Sequence, residues 1–163
     1  MNTPSPCSNE SPPSIKITPN QRSDNKWLWL NAGLTYDLLG SREDEIRAYD
    51  QTVKHLGRAN GCLAEELIAK ALVSKGIALN QLDRIDEAIR MYDVVVSRFA
   101  GRHGQVFREK VAVALYNKGI SLGSLERIDE QLAAYEQALD RFDVLDSTDV
   151  QVLTYRYWWL KLQ

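Results

Sequence analysis

His55, His103 and Cys62 are the residues best suited to hold a metal ion in this 163-residue chain, apart from Cys7 near its start. A structural metal site takes three or four ligands brought together. Here the two histidines stand far apart, and no second thiol lies near Cys62, so no metal is expected. Nucleophilic catalysis needs a nucleophile, a base and an orienting group in one pocket. No phosphate loop or dinucleotide fingerprint is present. Gly57-Arg58-Ala59-Asn60-Gly61 and Gly101-Arg102-His103-Gly104 have the glycine content of a phosphate cradle, but neither follows a strand pattern. They read as loops between helices. The acidic pairs Asp44-Glu45, Asp86-Glu87 and Asp129-Glu130 are the nearest thing to paired carboxylates. Each opens a helical pattern, where negative charge suits the helix dipole by a few tenths of a kcal/mol. The chain is therefore expected not to be an enzyme and to need no cofactor.

The elements that carry these residues follow from where helix breakers fall. All five prolines (Pro4, Pro6, Pro12, Pro13, Pro19) precede residue 20. Residues 1–25 are rich in Ser, Pro, Asn and Thr and cannot bury enough apolar surface to offset their ordering entropy. A disordered tail is expected there. The net charge of −2 and a pI of about 5.7 leave no basic face for nucleic acid. No run of about 18 apolar residues predicts a membrane span, and the start lacks the basic and apolar regions of a secretory signal. Two distant cysteines make no disulfide framework. Together these features predict a cytoplasmic chain with neither nucleic acid nor membrane as partner.

Beyond the tail, the sequence repeats with a constant offset of 43 residues. Residues 75–99 overlay residues 118–142 with 12 identities in 25 positions and no gap. Shifting back by the same interval reaches residues 32–56, where Gly33, Leu39, Ile46, Tyr49 and Asp50 keep their places. Each period holds two patterns of 3.6-residue spacing. In the middle copy these are Leu63, Leu67, Ala71, Ala78 and Leu82, then Ile85, Ala88, Ile89, Tyr92, Val95, Val96 and Phe99. The repeats fall at about 26–60, 61–103 and 104–146, with a partial copy at 147–163.

These repeats resemble the tetratricopeptide repeat, whose signature places Trp-x2-Leu-Gly-x2-Tyr on a first helix and a small residue followed by an aromatic on the second. Trp29, Gly33, Tyr36 and Tyr49 match in the first copy, Leu72, Gly76, Ala88 and Tyr92 in the second, and Leu115, Gly119 and Tyr135 in the third. The resemblance implies an all-α fold, a right-handed α-solenoid of antiparallel helix hairpins with about three and a half repeats. A glycine without a Cβ lets the two helices of a hairpin approach closely. The usual period is about 34 residues, and the excess is expected to lengthen the first helix. Glu45 and Gln131 replace the small alanine, which predicts looser crossings in copies one and three. Lys75 and Lys118 replace a leucine, and their aliphatic stems are expected to lie over the stack.

The resemblance also implies a non-catalytic scaffold or adaptor that holds a peptide or helix of a partner protein in a concave groove. The groove positions it assigns are Leu30, Asn31 and Leu34 in copy one, Val73, Ser74, Ile77 and Asn80 in copy two, and Tyr116, Asn117 and Ile120 in copy three. Asparagine amides can hold an extended backbone, and the aliphatics offer apolar pockets. One subclass grips chaperone carboxylate tails with a lysine–asparagine clamp. Leu30 and Leu34 stand where that clamp needs Lys and Asn, so this partner is disfavoured. The last stretch, Val150 to Leu162, matches the first helix of a fourth copy and is apolar on most sides, unlike the polar end of a capped array. Tyr155, Trp158 and Trp159 are thus expected to drive self-association into a homodimer. A fragment of a longer signalling protein is the remaining reading.

Overall fold

The computed structural model describes residues 27–58, 61–141 and 156–162. Six helices run in order: α1 (Leu28–Leu38), α2 (Arg42–Leu56), α3 (Cys62–Gln81), α4 (Ile85–Phe99), α5 (Gln105–Ser124) and α6 (Ile128–Leu139). Residues 156–161 add a short C-terminal helical segment. Among the described residues there is no strand. Each helix packs on the next, and α3 also packs on α5. The result is an all-α helical repeat solenoid of three hairpins, α1/α2, α3/α4 and α5/α6. The tail and residues 142–155 lie outside the described residues.

The same three devices build every hairpin. The first is a glycine facing a tyrosine: the Tyr49 ring lies on Gly33, Tyr92 on Gly76 and Tyr135 on Gly119. A methyl group on Gly76 would come within 2.5 Å of the Tyr92 ring. All three tyrosines are fully or almost fully buried. The second device is a left-handed residue at the hairpin turn: Gly40 (φ +70°), Asp83 (φ +59°) and Glu126 (φ +58°). It lets the following N–H turn back to the first helix: Ser41 N–H to the Tyr36 carbonyl, Arg84 to Leu79 and Arg127 to Leu122, each at 3.0 Å. Carbonyls left open by the helix end are satisfied this way.

The third device is a short pair at the start of the second helix. Ser41 Oγ donates to Asp44 at 2.6 Å, Arg84 Nε to Glu87 at 2.7 Å, and Arg127 Nε to Glu130 at 2.6 Å. The acidic pairs of the sequence therefore serve the first turns of α2, α4 and α6. Gly61 (φ +140°) and Gly104 (φ +124°) open α3 and α5 in backbone conformations that L side chains rarely adopt.

The lengthened first helices are visible in α3 and α5, each of 20 residues, or about 30 Å of rise. Between neighbouring hairpins run ion pairs: Lys75 Nζ to Asp50 and Lys118 Nζ to Asp93, both at 2.5 Å. These lysine side chains are only 18% and 24% exposed, so the stems cover the stack while the heads reach carboxylates.

The replaced alanines have local answers. Gln131 lies against Gly123, whose missing side chain makes room for it, and donates to Tyr135 Oη at 3.2 Å. Glu45 is buried and accepts from Arg42 at 2.8 Å. The two distant cysteines were expected to make no disulfide framework; Cys62 is disulfide-bonded, and Cys7 lies outside the described residues.

Candidate partner-binding groove

Because the hairpins repeat with one offset, equivalent residues of α1, α3 and α5 fall into parallel stripes. Leu34, Ile77 and Ile120 form one, all partly exposed. Asn31, Ser74 and Asn117 form the next, three residues earlier on each helix, with Asn31 exposed and the other two partly so. An aliphatic line and a line of small uncharged polar groups thus run side by side across three repeats. The third assigned position behaves differently. Leu30 and Val73 are buried in the core, while Tyr116 is partly exposed. Leu30 is enclosed completely and Val73 nearly so. Neither offers much surface to a partner.

Hydrogen bonds set what the polar stripe can present. Asn117 Nδ2 donates to the Val113 carbonyl at 2.9 Å, which leaves its Oδ1 as an acceptor. Asn80 Oδ1 accepts from Ser121 Oγ at 3.3 Å, which leaves its amide as a donor. Ser121 is buried and also donates to the Asn117 carbonyl at 3.0 Å. This serine ties α3 to α5 beneath the groove; it is the centre of Gly119-Ile120-Ser121-Leu122-Gly123, a G-x-S-x-G spacing that lies inside helix α5 and not on a strand-to-helix turn.

The tyrosines of the second helices reach towards the same side. Tyr49 shares a hydrogen bond with Ser74, and burial pushes its phenol up to about 12. Tyr92 has its phenol raised by burial alone. Its hydroxyl is the one buried side-chain polar atom among the described residues without a hydrogen-bond partner, since Ala88 stands where Glu45 and Gln131 stand in the other copies.

At the C-terminal end of the groove, the Arg156 guanidinium lies 5.9 Å from the centre of the Tyr116 ring. Trp158 and Trp159 are 56% and 62% exposed, and Trp158 meets the Tyr157 ring edge-on at 5.7 Å. Tyr155 lies outside the described residues. Of the two histidines, His55 stacks almost parallel on Trp29 at 5.9 Å, and His103 is exposed in its loop. Among the described residues, no three His, Cys, Asp or Glu side chains come together to hold a metal. No described helix is long and apolar enough to cross a membrane.

A family model described as "Tetratricopeptide repeat" matches residues 112–142, from the middle of α5 through α6. Over that span the chain is similar to a single tetratricopeptide repeat. The matched span contains the Gly119–Tyr135 contact, which Gly33–Tyr49 and Gly76–Tyr92 reproduce in the other hairpins. No curated protein sequence matches the chain significantly. A repeat of this kind suggests a protein–protein interaction module.

Proposed function

We propose that the chain is a scaffold or adaptor that holds a peptide or helix of a partner protein along its first helices. The observation that carries this reading is the pair of stripes. Leu34, Ile77 and Ile120 stay partly exposed at one register position through three repeats, beside Asn31, Ser74 and Asn117. Apolar side chains left open in a line offer pockets for a partner's anchors. The neighbouring amides and hydroxyl supply the hydrogen bonds that fix its register. No charged residue stands in either stripe, so the segment held there is itself apolar to neutral at its contact face.

Affinity capture from the native extract tests the reading, with Ile77→Asp and Tyr116→Asp as separate controls. Both residues are only partly buried, so the variants should keep the helical circular-dichroism signal while losing the captured protein. Capture unchanged by both variants would overturn the groove assignment.

A further inference from the structure

Cys62 opens α3 and is disulfide-bonded. The chain contains two cysteines, so a bond within one copy can only be made with Cys7. What such a bond does follows from where Cys62 stands on its helix. Counting back from the groove residue Ile77, first by three and then by four residues at a time, reaches Ser74, Lys70, Glu66 and Cys62. Steps of three and four keep to one helix face. All five residues are partly exposed, whereas Leu67, Ile68 and Leu72 between them are buried. Cys62 therefore lies on the groove face of α3, on the order of 22 Å along the helix from Ile77.

A segment bonded at that point returns over the groove face. Residues 8–26 are then tied at both ends, to α3 through Cys7 and to α1 through Trp27, the residue that precedes it. Ile15 and Ile17 are the only sizeable aliphatics among them. Ile15 stands eight residues from Cys7, which span roughly 26 Å when extended and so reach from Cys62 to Ile77. The twelve residues from Ile15 to Trp27 span up to roughly 40 Å, enough to return to the start of α1. Pro12, Pro13 and Pro19 bracket the two isoleucines and disfavour helix on either side. In an extended segment residues 15 and 17 share one side and Lys16 takes the other. The side they share is uncharged, as both stripes of the groove are.

We propose that a Cys7–Cys62 disulfide straps residues 8–26 over the groove face of α3, with Ile15 and Ile17 seated on the aliphatic stripe at Ile77. The chain then supplies its own occupant for the place that the scaffold reading gives to a partner, and the strap rests on that reading for the groove's position. With both ends tied, the isoleucines act at a roughly millimolar effective concentration, so a weak contact is enough to occupy the stripe. Closure takes two electrons and two protons from the two thiols. A small-molecule disulfide accepts them and is reduced to two thiols; excess thiol reverses the exchange and frees the face.

Two measurements on the full chain, oxidised by glutathione disulfide at low protein concentration, test this without any partner. Proteolytic peptides of the monomer should include one that joins the Cys7 and Cys62 sequences and that a reductant splits. A photoreactive benzoylphenylalanine at position 77, a partly exposed site, should cross-link to residues 8–26. That product should fall by about ten-fold or more after reduction, and equally in Cys7→Ser, as the tethered concentration is lost. Cys7 bonded only to another copy, or left as a free thiol, overturns the pairing. Cross-links from position 77 that miss residues 8–26, or that persist in Cys7→Ser, overturn the strap. The capture experiment with Ile77→Asp and Tyr116→Asp reads the groove separately, so loss of the strap leaves that reading standing.

Discussion

Tyr92 and Tyr135 occupy equivalent places in consecutive hairpins, yet their hydroxyls have different fates. Tyr135 receives a hydrogen bond from Gln131, while Tyr92 is buried beside Ala88 without a partner. A buried polar atom left unpaired costs about 1–3 kcal/mol, whereas a satisfied one contributes about 1 kcal/mol. Tyr135→Phe should therefore lower stability by about 1 kcal/mol, and Tyr92→Phe should leave it unchanged or raise it. Urea melts of the two variants check the contrast, and an equal loss in both would refute it. Gly33, Gly76, Gly119 and their tyrosines were legible through the repeat signature, which points to a filler between neighbouring hairpins; each ring instead lies on the glycine of its own hairpin. The burial of Leu30 and Val73 was not legible. Their enclosure is a product of tertiary packing, and nothing in their own apolar character distinguishes them from Leu34 or Ile77.

At the scale of the element, the hairpin turn shows how one geometry tolerates different residues. Gly40 adopts its left-handed φ freely, but Asp83 and Glu126 hold similar angles against the preference of an L residue. That conformation costs roughly 1–2 kcal/mol for most side chains, with Asp among the more tolerant. Glu126→Gly should thus raise the melting temperature by a few degrees, since the relief exceeds the loss of about 0.5–1 kcal/mol from glycine's greater freedom. Calorimetry decides it, and a lowered melting temperature would show that the Glu126 side chain stabilises the turn. The helix boundaries were readable from the 3.6-residue pattern, with α4 beginning at the predicted Ile85. The ion pairs joining α2 to α3 and α4 to α5 were only half readable. The buried lysine stems follow from their place in the repeat, but the partners Asp50 and Asp93 lie 25 residues away on another element.

For the whole molecule, the buried phenols make stability depend on alkaline pH. Tyr49 is pushed up from 10.0 to about 12 by burial, and Tyr92 is raised further in the same direction. Above pH 10 the unfolded chain has released these protons while the folded chain still holds them. The unfolded state then binds fewer protons, so stability falls as pH rises. It should be insensitive to these two groups below about pH 9 and decline between pH 10 and 12, a window set by the shift of Tyr49. Denaturation followed at a series of pH values measures this. The Tyr92→Phe variant should show a shallower decline, and an identical slope would place the effect on other groups.

The interfaces between hairpins use the same residues at the same offset as the contacts within them. Asp50 meets Lys75 as Asp93 meets Lys118, and Gly61 opens its helix as Gly104 does. One copy is therefore an interchangeable cassette. Excising residues 61–103 would bring Asp50 opposite Lys118, preserve the glycine at the splice and leave every tyrosine over its own glycine. Recombination between copies in the coding sequence can lengthen or shorten such an array without first breaking it, and the length of the groove becomes a quantity that inheritance can adjust one cassette at a time.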